Sequence, residues 1–170
     1  SLTLYSFGAN GAPIRLVLNS DNPATDGPDY YHATFAVDWQ GSRTFTFRLD
    51  DLTRARSPLG WQHLNAVQFW SDAGGVRPLP DTQLILTEIQ FSRSGGQGLA
   101  WRSALRDPNL DVVTVPHACF GLETVDATML GGIAAGVWRD HPTIDDIVCD
   151  LGTADLSRFD TLSFSIYSEK

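Results

Sequence analysis

Cysteine is scarce in this sequence. Only 2 cysteines occur, Cys119 and Cys149, too few for a disulfide scaffold or for a zinc module with paired thiols. A single bridge between them would close a loop of about thirty residues and contribute roughly 3 kcal/mol to stability. Two free, buried cysteines fit the sequence equally well. Long apolar runs are missing too, so no segment is predicted to be a membrane-spanning helix.

Positive charge is also in short supply. The chain has 12 lysine and arginine residues against 20 aspartate and glutamate residues, a formal net charge of −8 at pH 7. A field of this sign repels phosphate backbones and anionic membrane surfaces. We therefore expect neither nucleic acid nor a membrane as partner. Neutral or weakly charged glycans fit the charge better than strongly anionic ones, which would need a local cluster of arginines.

Motifs of the common catalytic and zinc sites are absent. There is no Gly-x-Ser-x-Gly elbow, no phosphate-binding loop and no dinucleotide fingerprint. The 4 histidines never reach a ligand spacing such as His-x-x-x-His. They are His32, His63, His117 and His141. The sequence therefore assigns no catalytic residue and favours a binding protein over an enzyme.

The dominant pattern is period-two alternation of apolar and polar residues, interrupted by clusters of Gly, Pro, Asn and Asp. Helical spacing is almost absent. The pattern predicts ten strands, at residues 2–7, 14–19, 30–38, 44–49, 66–70, 83–91, 112–115, 133–138, 144–150 and 161–168. An all-β, jelly-roll-like sandwich of two antiparallel sheets can hold that number of strands.

Residues 1–170 are expected to form one module with an internal linker near residues 92–100, where SRSGGQG is polar and glycine-rich. The two end strands are alike, LTLYS at residues 2–6 and FSIYS at residues 164–168. This likeness fits a piece cut from a tandem array, a circular permutation or chance. Because a strand follows Ser1 directly, we expect the chain to be part of a larger protein.

Taken in rotated order, four segments carry a resemblance to a known class of modules. They are DLSRFDTLSFSIYS at residues 155–168, VDWQG followed by FTF at 37–47, PLGW at 58–61 and TQLILTEIQF at 82–91. Their combined order resembles the galactose-binding-like β-sandwich modules that accompany polysaccharide lyases and glycoside hydrolases. The resemblance implies carbohydrate binding, an appended catalytic domain as partner and an extracellular location.

The resemblance also implies a structural calcium ion, with Asp111 and Glu88 as the candidate ligands. The competing interpretation is that these acids are ordinary solvated surface residues. Two positions depart from the family's pattern. Ser42 stands where an aromatic residue is common, which weakens the transfer of ligand contacts. Glu88 stands where an aspartate is usual, which weakens the transfer of the calcium site itself.

Alternation also predicts which side chains face outward. In the strand at residues 30–38, every second residue from Tyr31 to Val37 is predicted to face the core. The alternate residues, which begin with Tyr30 and His32, are predicted to face outward. The same logic for the other strands gives six candidate carbohydrate-binding residues: Trp70, Tyr30, His32, Arg48, Gln68 and Arg15. Aromatic rings stack on the C–H face of a sugar, while guanidinium, amide and imidazole groups bind its hydroxyls. A Trp70 that seals the end of the sandwich is the competing interpretation.

The other four tryptophans give weaker signals. Trp39 and Trp61 lie at turns and Trp138 ends an apolar stretch, so all three are expected to pack in the core or at its rim. Trp101 adjoins the linker and is left unassigned.

The sequence thus predicts a secreted, non-catalytic module that targets an appended enzyme to a polysaccharide or oligosaccharide. Two alternatives stay open. A polysaccharide lyase would use Tyr30, His32, Arg48 and Gln68 to neutralise a uronate and move its protons. An assembly or adhesion module would exchange its duplicate end strands between copies.

Overall fold

The computed structural model describes residues 11–39, 41–72, 83–93, 113–114, 119–121, 123–125, 135–138 and 146–169. These residues form twelve strands and one short 3-10 helix, Leu49–Asp51. The strands are β1 Ala12–Asn19, β2 Tyr30–Val37, β3 Gly41–Arg48, β4 Thr53–Ala55, β5 Leu64–Trp70, β6 Gln83–Ser92, β7 Val113–Thr114, β8 Cys119–Phe120, β9 Glu123–Val125, β10 Ala135–Trp138, β11 Asp146–Ala154 and β12 Thr161–Glu169. In this part of the chain, no helix has the length and apolarity needed to cross a membrane.

The strands form two antiparallel sheets. The first sheet has the order β4-β2-β1-β5-β11-β8, and the second has the order β3-β12-β6-β10-β9 with β7 paired to β6. Each sheet takes strands from both sides of residues 94–112, so neither sheet could form from one part alone. The predicted all-β sandwich of two antiparallel sheets is confirmed. The extent of the module, 1–170 with a linker near 92–100, stays a prediction, since residues 94–100 lie outside the described ones.

Most predicted strands are present with bounds shifted by a few residues. The prediction for residues 2–7 falls outside the described residues. The structure adds three short strands that alternation did not reveal, namely β4, β8 and β9. Each is only two or three residues long, too short for a period of two to be visible in the sequence.

The core lies between the two sheets and is aromatic at its centre. Phe164 of β12 is 1% exposed, and its ring lies 5.0 Å from the Phe69 ring and 5.3 Å from the Phe45 ring, measured between centroids. Phe35 completes the group, 4.3 Å from Phe45 and 5.5 Å from Phe164. Because Phe35 and Phe69 belong to the first sheet and Phe45 and Phe164 to the second, this cluster joins the two sheets.

A disulfide joins Cys119 to Cys149. The two residues are direct partners in the β8–β11 pairing, and Cys149 is completely buried on the core side of the first sheet. Of the two states that the sequence left open, the structure has the bridged one. The bridge ties the short edge strand β8 to the body of the sheet.

Candidate functional site

The outer face of the first sheet is centred on Val17 of β1. In the sheet register, Val17 lies directly between His32 of β2 and Gln68 of β5. Direct partners on antiparallel strands project to the same side. Val17 is nevertheless fully buried, because it is an apolar residue on a central strand, covered by the longer side chains of its neighbours. At Val17 the outer face is therefore covered by side chains and not open to solvent.

Trp70 contacts three other side chains of this layer, those of Arg15, Gln68 and Tyr30. It is the register partner of Arg15, whose guanidinium carbon lies 6.0 Å from the centre of the indole. Its Nε1 donates a hydrogen bond of 2.8 Å to Oε1 of Gln68. The Tyr30 ring meets it edge-on at a centroid distance of 5.5 Å, and His32 in turn lies 5.8 Å from Tyr30. All five side chains are half-buried, so the indole is partly open to solvent.

These five residues form what we call the indole cluster: Arg15, Tyr30, His32, Gln68 and Trp70. The structure brings together five of the six residues that alternation nominated for carbohydrate binding. Trp70 is the last residue of β5 and is only partly exposed, so the competing interpretation, a Trp70 that seals the end of the sandwich, stays a prediction beside the binding one.

Arg48 does not belong to this cluster, and its grouping with the other five was wrong. It ends β3, which lies in the second sheet, and its register partner is Thr161 of β12. The chain crosses from one sheet to the other between β2 and β3, so outward residues on these strands point away from each other. Alternation identifies an outward side chain but not the sheet from which it projects. The lyase constellation of Tyr30, His32, Arg48 and Gln68 is therefore not assembled as proposed.

Two buried polar atoms of this face have no hydrogen-bond partner within the described residues: Asn19 Oδ1 and His32 Nδ1. Asn19 is the register partner of Tyr30 and is 9% exposed. A buried acceptor without a partner costs about 1–3 kcal/mol, and such groups are rare enough to require an explanation. Their presence beneath a solvent-facing aromatic layer indicates unused hydrogen-bonding capacity in the floor of the cluster.

His32 is kept neutral by its surroundings. Burial disfavours the charged imidazolium and lowers its pKa below the ordinary value of 6.5, and the nearby Arg15 guanidinium lowers the pKa further. Tyr30 on β2 and Thr53, its register partner on β4, are uncharged neighbours. A neutral imidazole has one donor and one acceptor nitrogen, which suits the bonding of a hydroxyl group.

A buried carboxylate fixes the loop that leads into the cluster. Asp29, completely buried, stands just before Tyr30. Its carboxylate accepts hydrogen bonds from the Thr25 hydroxyl, from the Ser57 amide at 2.8 Å and from the Asn22 amide at 3.2 Å. Chiefly because of the Thr25 hydroxyl and then the Ser57 amide, the pKa of Asp29 is lowered from its ordinary value of 3.8.

Arg56 completes this clamp from the opposite loop. Its guanidinium lies 4.0 Å from the Asp29 carboxylate and donates to the carbonyl oxygens of Asp26 and Pro28. A Cβ atom on residue 27 would lie 2.6 Å from the Arg56 guanidinium, so this position requires glycine. The backbone of Gly27 also has a φ of +82°, which glycine adopts freely. The clamp therefore couples residues 20–29 to residues 56–60 and holds the Tyr30 end of β2 in place.

The calcium prediction rests on residues that the structure does not describe in full. Asp111 lies outside the described residues, and for Glu88 only the backbone is described, paired with Ser165 in β6 and β12. Among the described side chains, no group of three or more His, Cys, Asp or Glu residues could hold a metal ion. The calcium site stays a prediction.

Three of the remaining tryptophans pack as expected. Trp138 is 1% exposed in the core. Trp61 stacks on Tyr31 at 4.0 Å, and Trp39 donates from Nε1 to the Gly41 carbonyl oxygen at 2.9 Å while its ring packs against the core. Trp101 lies outside the described residues.

Sequence reasoning missed four further residues on the same outer face: Val148, Phe120, Asp146 and Asp150. Val148 of β11 is the register partner of Gln68 on one side and of Phe120 on the other, and Phe120 is 76% exposed. On either side of Val148 along β11, Asp146 and Asp150 add carboxylates, since residues two apart on a strand share a face. The pairing of Cys119 with Cys149, left open by the sequence, is the signal that would have placed Phe120 here.

The fold and the cluster define the class of the protein as an antiparallel β-sandwich with an aromatic and polar surface on one sheet. Comparison of the chain with protein-family models, with curated proteins and with solved structures found no match.

Proposed function

We propose that the protein is a non-catalytic carbohydrate-binding module whose site is the indole cluster. One observation carries the proposal: on one sheet face a partly buried indole donates a hydrogen bond to an amide and lies against a guanidinium and a phenol ring, with an imidazole beside the phenol. Sugars present an apolar C–H face and a rim of hydroxyl groups. The cluster offers a matching ring and matching planar hydrogen-bonding groups.

The unsatisfied polar atoms in the floor support the same proposal. Asn19 Oδ1 accepts and a neutral His32 either donates or accepts, so both have the chemistry to bond to hydroxyl groups. Satisfying them on binding recovers part of the cost of their burial.

The module would serve to hold an appended enzyme on a polysaccharide outside the cell. Weak individual affinity is sufficient for this task, because linkage to a second binding or catalytic site raises the effective concentration. The Cys119–Cys149 disulfide supports an extracellular location, since such bonds persist in oxidising compartments.

The experiment is a panel of neutral and uronic polysaccharides, tested by affinity electrophoresis with the wild type and two matched variants. Arg15→Ala removes a cationic side chain from the cluster, and Arg48→Ala removes one from the other sheet. We expect retention by at least one neutral polymer, loss of retention with Arg15→Ala and no change with Arg48→Ala. Failure of the folded wild type to be retained by any polymer would overturn the proposal, as would equal effects of the two variants.

A further inference from the structure

Phe120 is an exposed aromatic residue that the fold alone does not explain. It is 76% exposed on β8, at the edge of the first sheet. Because Phe120 pairs with Val148 and Val148 pairs with Gln68, its side chain projects from the same face as the indole cluster. The disulfide at the neighbouring residue Cys119 ties this position to β11. The sheet therefore presents a second, firmly held ring to solvent.

The separation of the two rings can be estimated from sheet geometry. Trp70 on β5 and Phe120 on β8 are separated by one intervening strand, β11. Gln68 lies in the same row across the sheet as Phe120, and Trp70 lies two residues beyond Gln68 along β5. The two positions are therefore offset by two strand spacings across the sheet and by two residue rises along it. The diagonal of these perpendicular offsets is about 12 Å. This span is longer than a single pyranose ring. One ligand can contact both rings only if it contains several linked sugars.

Two carboxylates lie along β11 on this face. Asp146, the register partner of Trp70, borders the path between the two rings, and Asp150 lies beyond Val148 on the side away from Trp70, where its Oδ1 also accepts from the Gly152 amide at 2.7 Å. Carboxylates accept hydrogen bonds from sugar hydroxyls but repel the carboxylates of uronic acids. The carboxylates along β11 therefore disfavour a uronic chain and favour a neutral one.

We propose that the protein binds a neutral, linear polysaccharide along its chain, with sugars stacked on Trp70 and Phe120 and the intervening units crossing β11. This inference rests on the proposed function and names its substrate class. Recognition is then of internal segments, because the sugar chain can continue beyond Phe120 past the edge strand β8 and beyond Trp70 over β1. A ligand with one or two sugars would reach Trp70 only.

The test is isothermal titration calorimetry with β-1,4-linked gluco-, manno- and xylo-oligosaccharides, each from the disaccharide to the hexasaccharide, with oligogalacturonates of the same lengths. For the series that binds, affinity should rise with length. Phe120→Ala should weaken hexasaccharide binding about ten-fold, the effect of losing one stacking contact. It should leave disaccharide binding unchanged, and Phe120→Tyr should retain the length dependence. Leu59→Ala, which removes the other exposed large apolar side chain in the described residues, should have no effect.

The outcomes separate this inference from the proposed function. Binding that does not depend on length, or on Phe120, would overturn recognition along the chain while leaving sugar binding by the indole cluster intact. Tighter binding of oligogalacturonates than of the neutral series would overturn the assignment to neutral chains. No binding in any series, together with a blank polysaccharide panel, would overturn both.

Discussion

The indole of Trp70 donates a hydrogen bond of 2.8 Å to the side chain of Gln68, two residues earlier on the same strand and the same face. This bond fixes the ring plane that faces solvent, between Arg15 and Tyr30. An aromatic platform that is already ordered before binding loses little conformational entropy when a sugar lies on it. Gln68 therefore acts as a positioning residue for Trp70.

Replacing Gln68 by Leu should weaken glycan binding by about three- to ten-fold, as expected for the loss of a hydrogen bond worth roughly 0.5–1.5 kcal/mol. The substitution keeps a side chain of similar size over Val17. Binding is measured by calorimetry with the polymer identified in the panel. Gln90→Leu on β6 of the second sheet is the matched control and should bind like the wild type. Equal affinity of Gln68→Leu and the wild type would exclude this positioning role.

Much of the fold followed from the alternation of residue types. The core positions Phe35 and Val37 lie on the predicted inward face of β2, since burying apolar side chains on one side of each strand is what creates the period. Strand pairing order is a different matter. It depends on long-range contacts between residues far apart in sequence, which a local period does not encode.

The misplacement of Arg48 illustrates this limit. The period correctly predicted an outward side chain on β3, but nothing local distinguishes the outside of the first sheet from the outside of the second. Phe120 was missed for a related reason, because β8 is only two residues long and gains its place through the bridge to Cys149. Asn19 was missed because outward polar residues are expected to be exposed, whereas this one is buried.

The lowered pKa of His32 makes the stability of the fold depend on pH. In the unfolded chain His32 binds a proton near pH 6.5, whereas in the folded chain it does so only at lower pH. Between these values the unfolded state holds more protons, so the free energy of unfolding falls as the pH decreases below about 6.5. We expect urea unfolding at pH 7 and pH 5 to show this loss. Asp and Glu titration also contributes at the lower pH, so variants are needed to isolate His32.

His32→Asn should make the loss of stability between pH 7 and pH 5 smaller than in the wild type, since the titrating group is gone. An NMR titration of the imidazole carbon-bound protons gives the pKa directly. A His32 pKa at or above 6.5 would contradict the role of burial and Arg15.

The Asp29 clamp predicts a second, more acidic transition. A carboxylate with a lowered pKa stabilises the folded state above its unfolded pKa of about 3.8, and this contribution is lost as the pH falls through the folded value. Asp29→Asn removes one acceptor oxygen and the charge facing Arg56. It should lower the urea midpoint at pH 7, and its difference from the wild type should shrink below pH 3.8. Asp26→Asn, an exposed side chain of the same loop, should leave the midpoint unchanged, and an equal drop there would argue against the clamp.

The aromatic centre of the core predicts a large effect of one substitution. Phe164 contacts rings from both sheets and is 1% exposed. Phe164→Ala should lower the free energy of unfolding by about 3–5 kcal/mol, because it removes buried area and leaves a cavity between the sheets. Chemical denaturation followed by far-ultraviolet circular dichroism measures the change. A loss below about 1 kcal/mol would mean that this ring does not join the two sheets as described.

The most direct measurement concerns the indole proton of Trp70 during addition of a glycan that the wild type retains. Among the indole signals of the 5 tryptophans, those of Trp70 and Trp138 are assigned with Trp70→Phe and Trp138→Phe variants. A sugar stacked on the cluster should shift the Trp70 Nε1–H signal progressively to saturation, while the signal of the buried Trp138 stays in place. A Trp70 signal that does not move at saturating glycan, although the polymer is bound, would contradict the account.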